Sequence, residues 1–402
     1  MDTVLSFLDG GLLKPSLLGY IGLTLLLTHV TIISVTVYLH RHQAHRALEL
    51  HPVISHFFRC WLWLTTGMVT GEWVAVHRRH HARCETADDP HSPLQCGIRK
   101  VLWQGAELYK RAAADRQTLQ KYGHGTPDDW LERHLYAGRR NLGLITMLII
   151  DVLLLGVGGI TVWAVQMLWI PFFAAGVING LGHWWGYRNF EVSDRSTNIV
   201  PWGILIGGEE LHNNHHTYAA SAKLSVKRWE FDIGWLYIRA LAALRLARIK
   251  KVAGRPVLDR YKAQIDMDTV RAVIQHRFQV MARYSREVVA RVCREERARA
   301  RGAGVEMLKR ARHLVVRDDI MLDEQARHWL SQALERYQSL QTVYRFKRHL
   351  QRIWTESAAS NELLLQALQD WCQQAEQTGI QALRDFAAGL RSYSLPASSA
   401  TA

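Results

Sequence analysis

The sequence predicts an all-α integral membrane protein: a transmembrane helix bundle followed by a soluble helical C-terminal extension. Three observations predict it. Long uncharged stretches lie before residue 190. Charged, helix-forming sequence dominates after residue 250. Histidines crowd the first part of the chain, 16 of the 20 falling at or before His216. The 15 tryptophans exclude a disordered chain. The five scattered cysteines form no CxxC pair, which argues against a zinc ribbon or a disulfide framework.

The elements follow in chain order. Leu17 to Leu39 runs 23 residues without a charge, enough to cross a bilayer once. No basic cluster precedes it and no small-residue cleavage site follows, so it reads as a span rather than a signal peptide. Residues 53–76 are apolar but carry His56, Arg59 and three tryptophans, which suits a helix lying in the interface. Residues 141–185 are interrupted only by Asp151 and allow two crossings, about 141–161 and 164–185, turned at Gly156, Gly158 and Gly159. The loop from Ala75 to Arg140 holds 12 Lys or Arg against one lysine before Leu17, which places that loop in the cytoplasm. Trp229 to Lys251 reads as an amphipathic surface helix. These elements define a membrane domain at 1–251 and a basic helical region at 252–402 ending in a frayed tail from Ser394. Net charge is +6 over residues 1–250 and +8 over 251–402.

The histidines fall into boxes. They are His40-Arg-His-Gln-Ala-His45, His77-Arg-Arg-His80-His81 and His212-Asn-Asn-His215-His216. Positions i, i+3 and i+4 share a helix face, so each HxxHH box can aim three imidazoles at one spot. His40 and His45 are five apart, about 140° on a regular α-helix, and are expected to serve two neighbouring metals rather than one. His183 closes the last apolar stretch and adds one imidazole. Nine candidate ligands result: His40, His45, His77, His80, His81, His183, His212, His215 and His216. A tetrahedral site needs four, so nine imply two metals. Imidazole suits iron, zinc, copper and nickel, and the residues alone do not choose. His42 reads as spacing within its box. Only 31 residues separate His45 from His77, too few for two crossings, so all boxes can lie on one side of the membrane. Glu72, Glu85, Asp88, Asp89, Glu209 and Glu210 lie beside the boxes and are candidate acceptors for the other imidazole N–H.

These boxes resemble those of the membrane fatty acid desaturases, most of all the acyl-CoA Δ9-desaturases of the stearoyl-CoA type. The matching strings are HRHQAHR at 40–46, HRRHHARCETADDPH at 77–91, NGLGHWWGYR at 179–188 and GEELHNNHH at 208–216. The resemblance covers roughly residues 15–250. It implies a membrane bundle capped by a cytosolic domain with a histidine-bound di-iron centre, in a bacterial inner membrane. It places the nine histidines on iron ligand positions and Asn179 on an amide that contacts one iron through water. The implied reaction takes O2 and two electrons and leaves water and a cis double bond, expected at Δ9 of a saturated fatty acyl chain carried as acyl-CoA. The electrons come from a separate donor, of the ferredoxin, flavin reductase or cytochrome b5 kind. Trp73, Trp184, Trp185 and Trp202 are candidate walls for the acyl chain. In the animal enzymes an Arg and an Asp precede the second box and hold coenzyme A; here Ala75 and Val76 stand there. Arg99, Lys100, Lys110 and Arg111 are alternative phosphate partners, and a lipid-linked acyl substrate stays open.

A di-iron hydroxylase or alkane monooxygenase shares the first hydrogen abstraction and is the nearest alternative. A histidine-rich metal transporter would carry its sites along the spans, whereas these boxes sit at membrane edges. HExxH is absent, which counts against a zinc hydrolase. The arginines after 252 are interleaved with glutamates at helical period. That pattern predicts a solvated bundle or self-association surface and no nucleic-acid partner.

Overall fold

Among the described residues, two helices are long and apolar enough to cross a membrane, Leu17–Ala44 and Gly158–Leu181. The computed structural model containing them describes residues 2–355 and 360–396; residues 397–402 of the expected frayed tail lie outside the described residues. The chain divides into two units. One comprises residues 1–188 with 194–253, the other 189–193 with 254–402.

In the first unit, Ser16 caps the Leu17–Ile33 helix by accepting from the Gly19 N–H at 3.2 Å. The helix then changes winding: Ser34–Ala44 is π-helical, and the His45 N–H donates to the His40 carbonyl at 3.0 Å. The stretch expected as one interfacial helix at 53–76 is broken. Pro52–Thr66 ends at Gly67, whose φ of +60° is the left-handed conformation that stops a helix, and a second helix runs Thr70–Arg83. The break redirects the chain, so the second box starts on a fresh helix. Arg140–Leu155 and Gly158–Ile170 form the later hairpin, turned at Gly156 with φ +65°. The last apolar helix packs against Ile98–Ala113 through glycine: a Cβ on Gly105 would sit 2.3 Å from the Ala175 carbonyl oxygen. The expected surface helix at 229–251 is shorter, Ile233–Ala243. Arg245, with φ +59°, turns the chain, and Ala247–Ile249 pairs antiparallel with Leu48–Leu50.

Two arginines, buried Arg41 and half-buried Arg78, clamp the first box. Arg41 is 1% exposed and grips Asp232 with both terminal nitrogens, at 3.1 and 2.9 Å, while donating to the carbonyls of Ala222 and Gly207. Arg78 donates to the carbonyls of Gln43 and Ala44, satisfying the end of the first-box helix, and to those of Tyr122 and His124.

The second unit is a helical assembly. Asp266, Asp323 and Ser360 cap helices Met267–Gln275, Glu324–Arg336 and Asn361–Gln377. Tyr284, Trp371 and Phe386 meet at its centre, with Leu340, Leu350, Leu368 and Leu390 around them. Lys347, 1% exposed, donates its ammonium to the carbonyls of Val315 and Arg317. A two-residue antiparallel pair, Val257–Leu258 with Tyr393–Ser394, ties its ends.

Candidate metal centre

All nine candidate imidazoles converge in the first unit. His40, His45, His77, His81 and His215 form one group whose donor atoms lie within 4.8 Å of one another. Within it, Nε2 of His215 faces Nε2 of His40 at 3.0 Å and of His81 at 2.9 Å, and Nε2 of His45 faces that of His77 at 2.8 Å. His80, His183 and His216 belong to a second group. His212 joins it, with Nε2 3.0 Å from that of His183 and its ring 4.4 Å from that of His216.

Helical winding explains this division. In an HxxHH box the third and fourth residues on from the first stand about 60° to one side and about 40° to the other. So His77 and His81 turn to one group and His80 to the other; His212 and His216 turn to the second and His215 to the first. The boxes therefore do not each aim three rings at one spot. The expectation for His40 and His45 is also corrected. They share one group, with ring centroids 4.7 Å apart, because π-helical i→i+5 winding returns a residue five on to nearly the same face.

The far nitrogens find carboxylates. Nδ1–H of His80 donates to Asp89 at 3.0 Å, that of His183 to Glu85 at 3.0 Å and that of His216 to Asp194 at 3.0 Å; Nδ1 of His40 lies 2.7 Å from Glu209. A carboxylate only accepts, so each holds the proton on Nδ1 and leaves the Nε2 lone pair free. Three of the sequence candidates, Glu85, Asp89 and Glu209, are thus placed on imidazoles. Three are not: Glu72 pairs with Arg140 at 2.7 Å, Glu210 accepts from the Ile206 and Gly208 N–H groups, and Asp88 offers its backbone carbonyl to Arg79. Asp194 was missed, since it lies 18 residues before the third box with no spacing signal. His42 turns away, its Nδ1 3.0 Å from the Leu48 carbonyl.

Burial, reinforced by neighbouring imidazoles, holds His77, His81, His212 and His215 well below the usual imidazole range, and pushes His45 down to about 3. Burial outweighs Asp194 at His216, pushed down to about 4. Burial also opposes charge on His80, but Asp89 overcomes it and raises that group. Neutral rings are the metal-binding form.

The donor set fits metal ions. Two nitrogens bound side by side at about 2.1 Å lie about 3.0 Å apart, the spacing seen here. One Nε2 carries at most one proton, yet that of His215 faces two others. The Nε2 of His216 is buried and has no partner among the described residues. A cation at each position would satisfy these atoms.

Of the candidate wall residues, Trp73 stacks on His77 at 4.8 Å between centroids. Trp184, Trp185 and Trp202 keep more than half of their surface exposed, as interface anchors do. Asn179 begins the short turn Asn179–Leu181 that leads to His183. Arg99, Lys100, Lys110 and Arg111 are exposed on the Ile98–Ala113 helix, while Ala75 and Val76 are buried.

Fold and site together define a helical protein with two adjoining groups of histidines that could hold metal ions. Residues 15–253 match the family model of fatty acid desaturases, and the chain belongs to that family, whose members are membrane-associated and generally di-iron. It is 30% identical over 244 residues to the sn-1 stearoyl-lipid 9-desaturase of Anabaena variabilis, covering 58% of this chain and 85% of the relative. It is 30% identical to Delta-9 acyl-lipid desaturase 1 of Arabidopsis thaliana, covering 54% of this chain and 70% of the relative. It is 30% identical to the icosanoyl-CoA 5-desaturase of Limnanthes douglasii, covering 58% and 65%. Across eight of the curated relatives it matches, the chain covers from 57% to 85% of the relative's own length. Residues 261–396 match a separate model, described as a transposase.

Proposed function

We propose that this protein is an O2-dependent desaturase that places a cis double bond, at the ninth carbon, in a saturated acyl chain. Two irons would be held by the nine histidines: one by His40, His45, His77, His81 and His215, the other by His80, His183, His212 and His216; Asn179 would contact one iron through water. The single observation that carries the reading is the pairing of Nε2 atoms at 2.8–3.0 Å in a buried site. Iron at these positions supplies the O2 activation that an unactivated methylene demands. The chain's own residues hold and orient. Glu85, Asp89, Asp194 and Glu209 fix the tautomers, and Arg41 and Arg78 lock the first box against its neighbours.

The proposed substrate is a chain esterified to a membrane lipid. Buried Ala75 and Val76 offer no charge for a coenzyme A head group, and the Anabaena relative is named for stearoyl-lipid. The second reading is an acyl-CoA, favoured by the four exposed cations on Ile98–Ala113 and by the Limnanthes relative's name. The protein sits in a bacterial inner membrane with the centre facing the cytoplasm, and takes electrons from a separate donor. The test is expression in a bacterial host with membrane reductases and mass spectrometry of its lipids after a saturated chain is supplied. A new cis-monoene appearing first in phospholipid supports the lipid reading, and first in acyl-CoA the second. A hydroxylated product would transfer the chemistry to a hydroxylase.

For the second unit, the transposase resemblance points away from the expectation of no nucleic-acid partner. Salt-sensitive binding of a DNA duplex by the full chain, measured by anisotropy, would overturn that expectation; its absence would leave a solvated or self-associating bundle.

A further inference from the structure

We propose that Cys84 is a fifth donor at the second metal position, giving that position four imidazoles and one sulfur. The inference rests on the reading of two metal positions above. The first position has five imidazoles and the second has four. Cys84 follows His80 by four residues, so the two side chains share a face at the end of the Thr70–Arg83 helix. Its Sγ lies 4.0 Å from Nε2 of His80, the nitrogen left free by the His80–Asp89 hydrogen bond. Donor atoms of His80, Cys84, His183 and His216 all lie within 4.8 Å of one another. Into the same group points Nε2 of His216, whose side chain is 2% exposed and which has no partner among the described residues.

A nitrogen and a sulfur bound to one ion at about 2.1 and 2.3 Å stand about 3.1 to 3.6 Å apart. Sγ therefore needs to move inward by less than about one ångström, within reach of a small χ1 adjustment. On binding a divalent ion the S–H bond breaks, a sulfur–metal bond forms, and the proton leaves to solvent. The sulfur makes the two positions chemically unequal. The second favours softer ions, such as zinc, cobalt or cadmium, more than the all-nitrogen first.

The test uses the full chain in detergent, stripped by chelation and loaded with cobalt(II). The expected result is two cobalt per chain, a sulfur-to-cobalt charge-transfer band in the near ultraviolet, and a sulfur scatterer at about 2.3 Å by X-ray absorption. Cys84→Ser loses band and scatterer while keeping its cobalt. Should that variant not fold, absorption on the wild type alone decides. Two bound cobalt ions with only nitrogen and oxygen neighbours overturn the proposal and leave the two-position reading standing. No cobalt bound at all overturns that reading as well.

Discussion

Asp194→Asn tests whether the missed carboxylate sets the tautomer of His216. Asp194 accepts twice: Oδ2 from Nδ1–H of His216 at 3.0 Å, and Oδ1 from the Ser196 N–H at 2.8 Å. Asparagine has one oxygen. The Ser196 N–H claims it, so the amide NH2 faces Nδ1 of His216 and donates to it. That drives the ring proton to Nε2, the atom that should meet the metal. Loss of such a supporting partner typically costs about 10- to 100-fold in metal affinity, equivalent to about 1.4 to 2.7 kcal/mol. The assay is iron or zinc titration of the stripped protein against a competing chelator, with helix content followed by circular dichroism. One of two sites should weaken by that factor while the other keeps its affinity. Wild-type affinity at both sites, in a folded variant, would refute the tautomer argument and the assignment of His216 to the second position.

His80→Ala and His215→Ala should each abolish turnover in a protein that still inserts. Metal analysis should show the second position weakened in the former and the first in the latter. Arg41→Met should lower stability by about 3–5 kcal/mol, because it strands Asp232, a charge with no exposed side-chain surface; a shift in detergent thermal unfolding checks it. Deleting residues after about 260 should leave iron binding intact, measured by metal content; loss of iron would make the second unit part of the centre's support.

The clustered imidazoles were legible because metal chemistry restricts residue type, and the structure brings all nine into two groups. Nine histidines in three boxes and one membrane-edge position announce themselves by composition and spacing alone. Two of the three expected spans were legible for a similar reason, since a bilayer demands about 20 apolar residues from each crossing; the helix at the third, Arg140–Leu155, has only 16 residues. Partition between the two positions was not legible. It depends on helix phase, and the π-helical winding of Ser34–Ala44 reverses the α-helical expectation for His40 and His45. Nor did local pattern reveal the break at Gly67, since a glycine inside an apolar run also occurs in continuous helices. Asp194, Cys84 and the Arg41–Asp232 clamp reach their partners across long sequence separations or through loop geometry. By itself, then, the amino-acid sequence determined the chemistry available, the apolar segments and the change from apolar to charged helical sequence near residue 252. Tertiary structure alone decided which imidazoles lie together and which carboxylate orients each ring, because a shared site depends on three-dimensional position and on how each helix is wound.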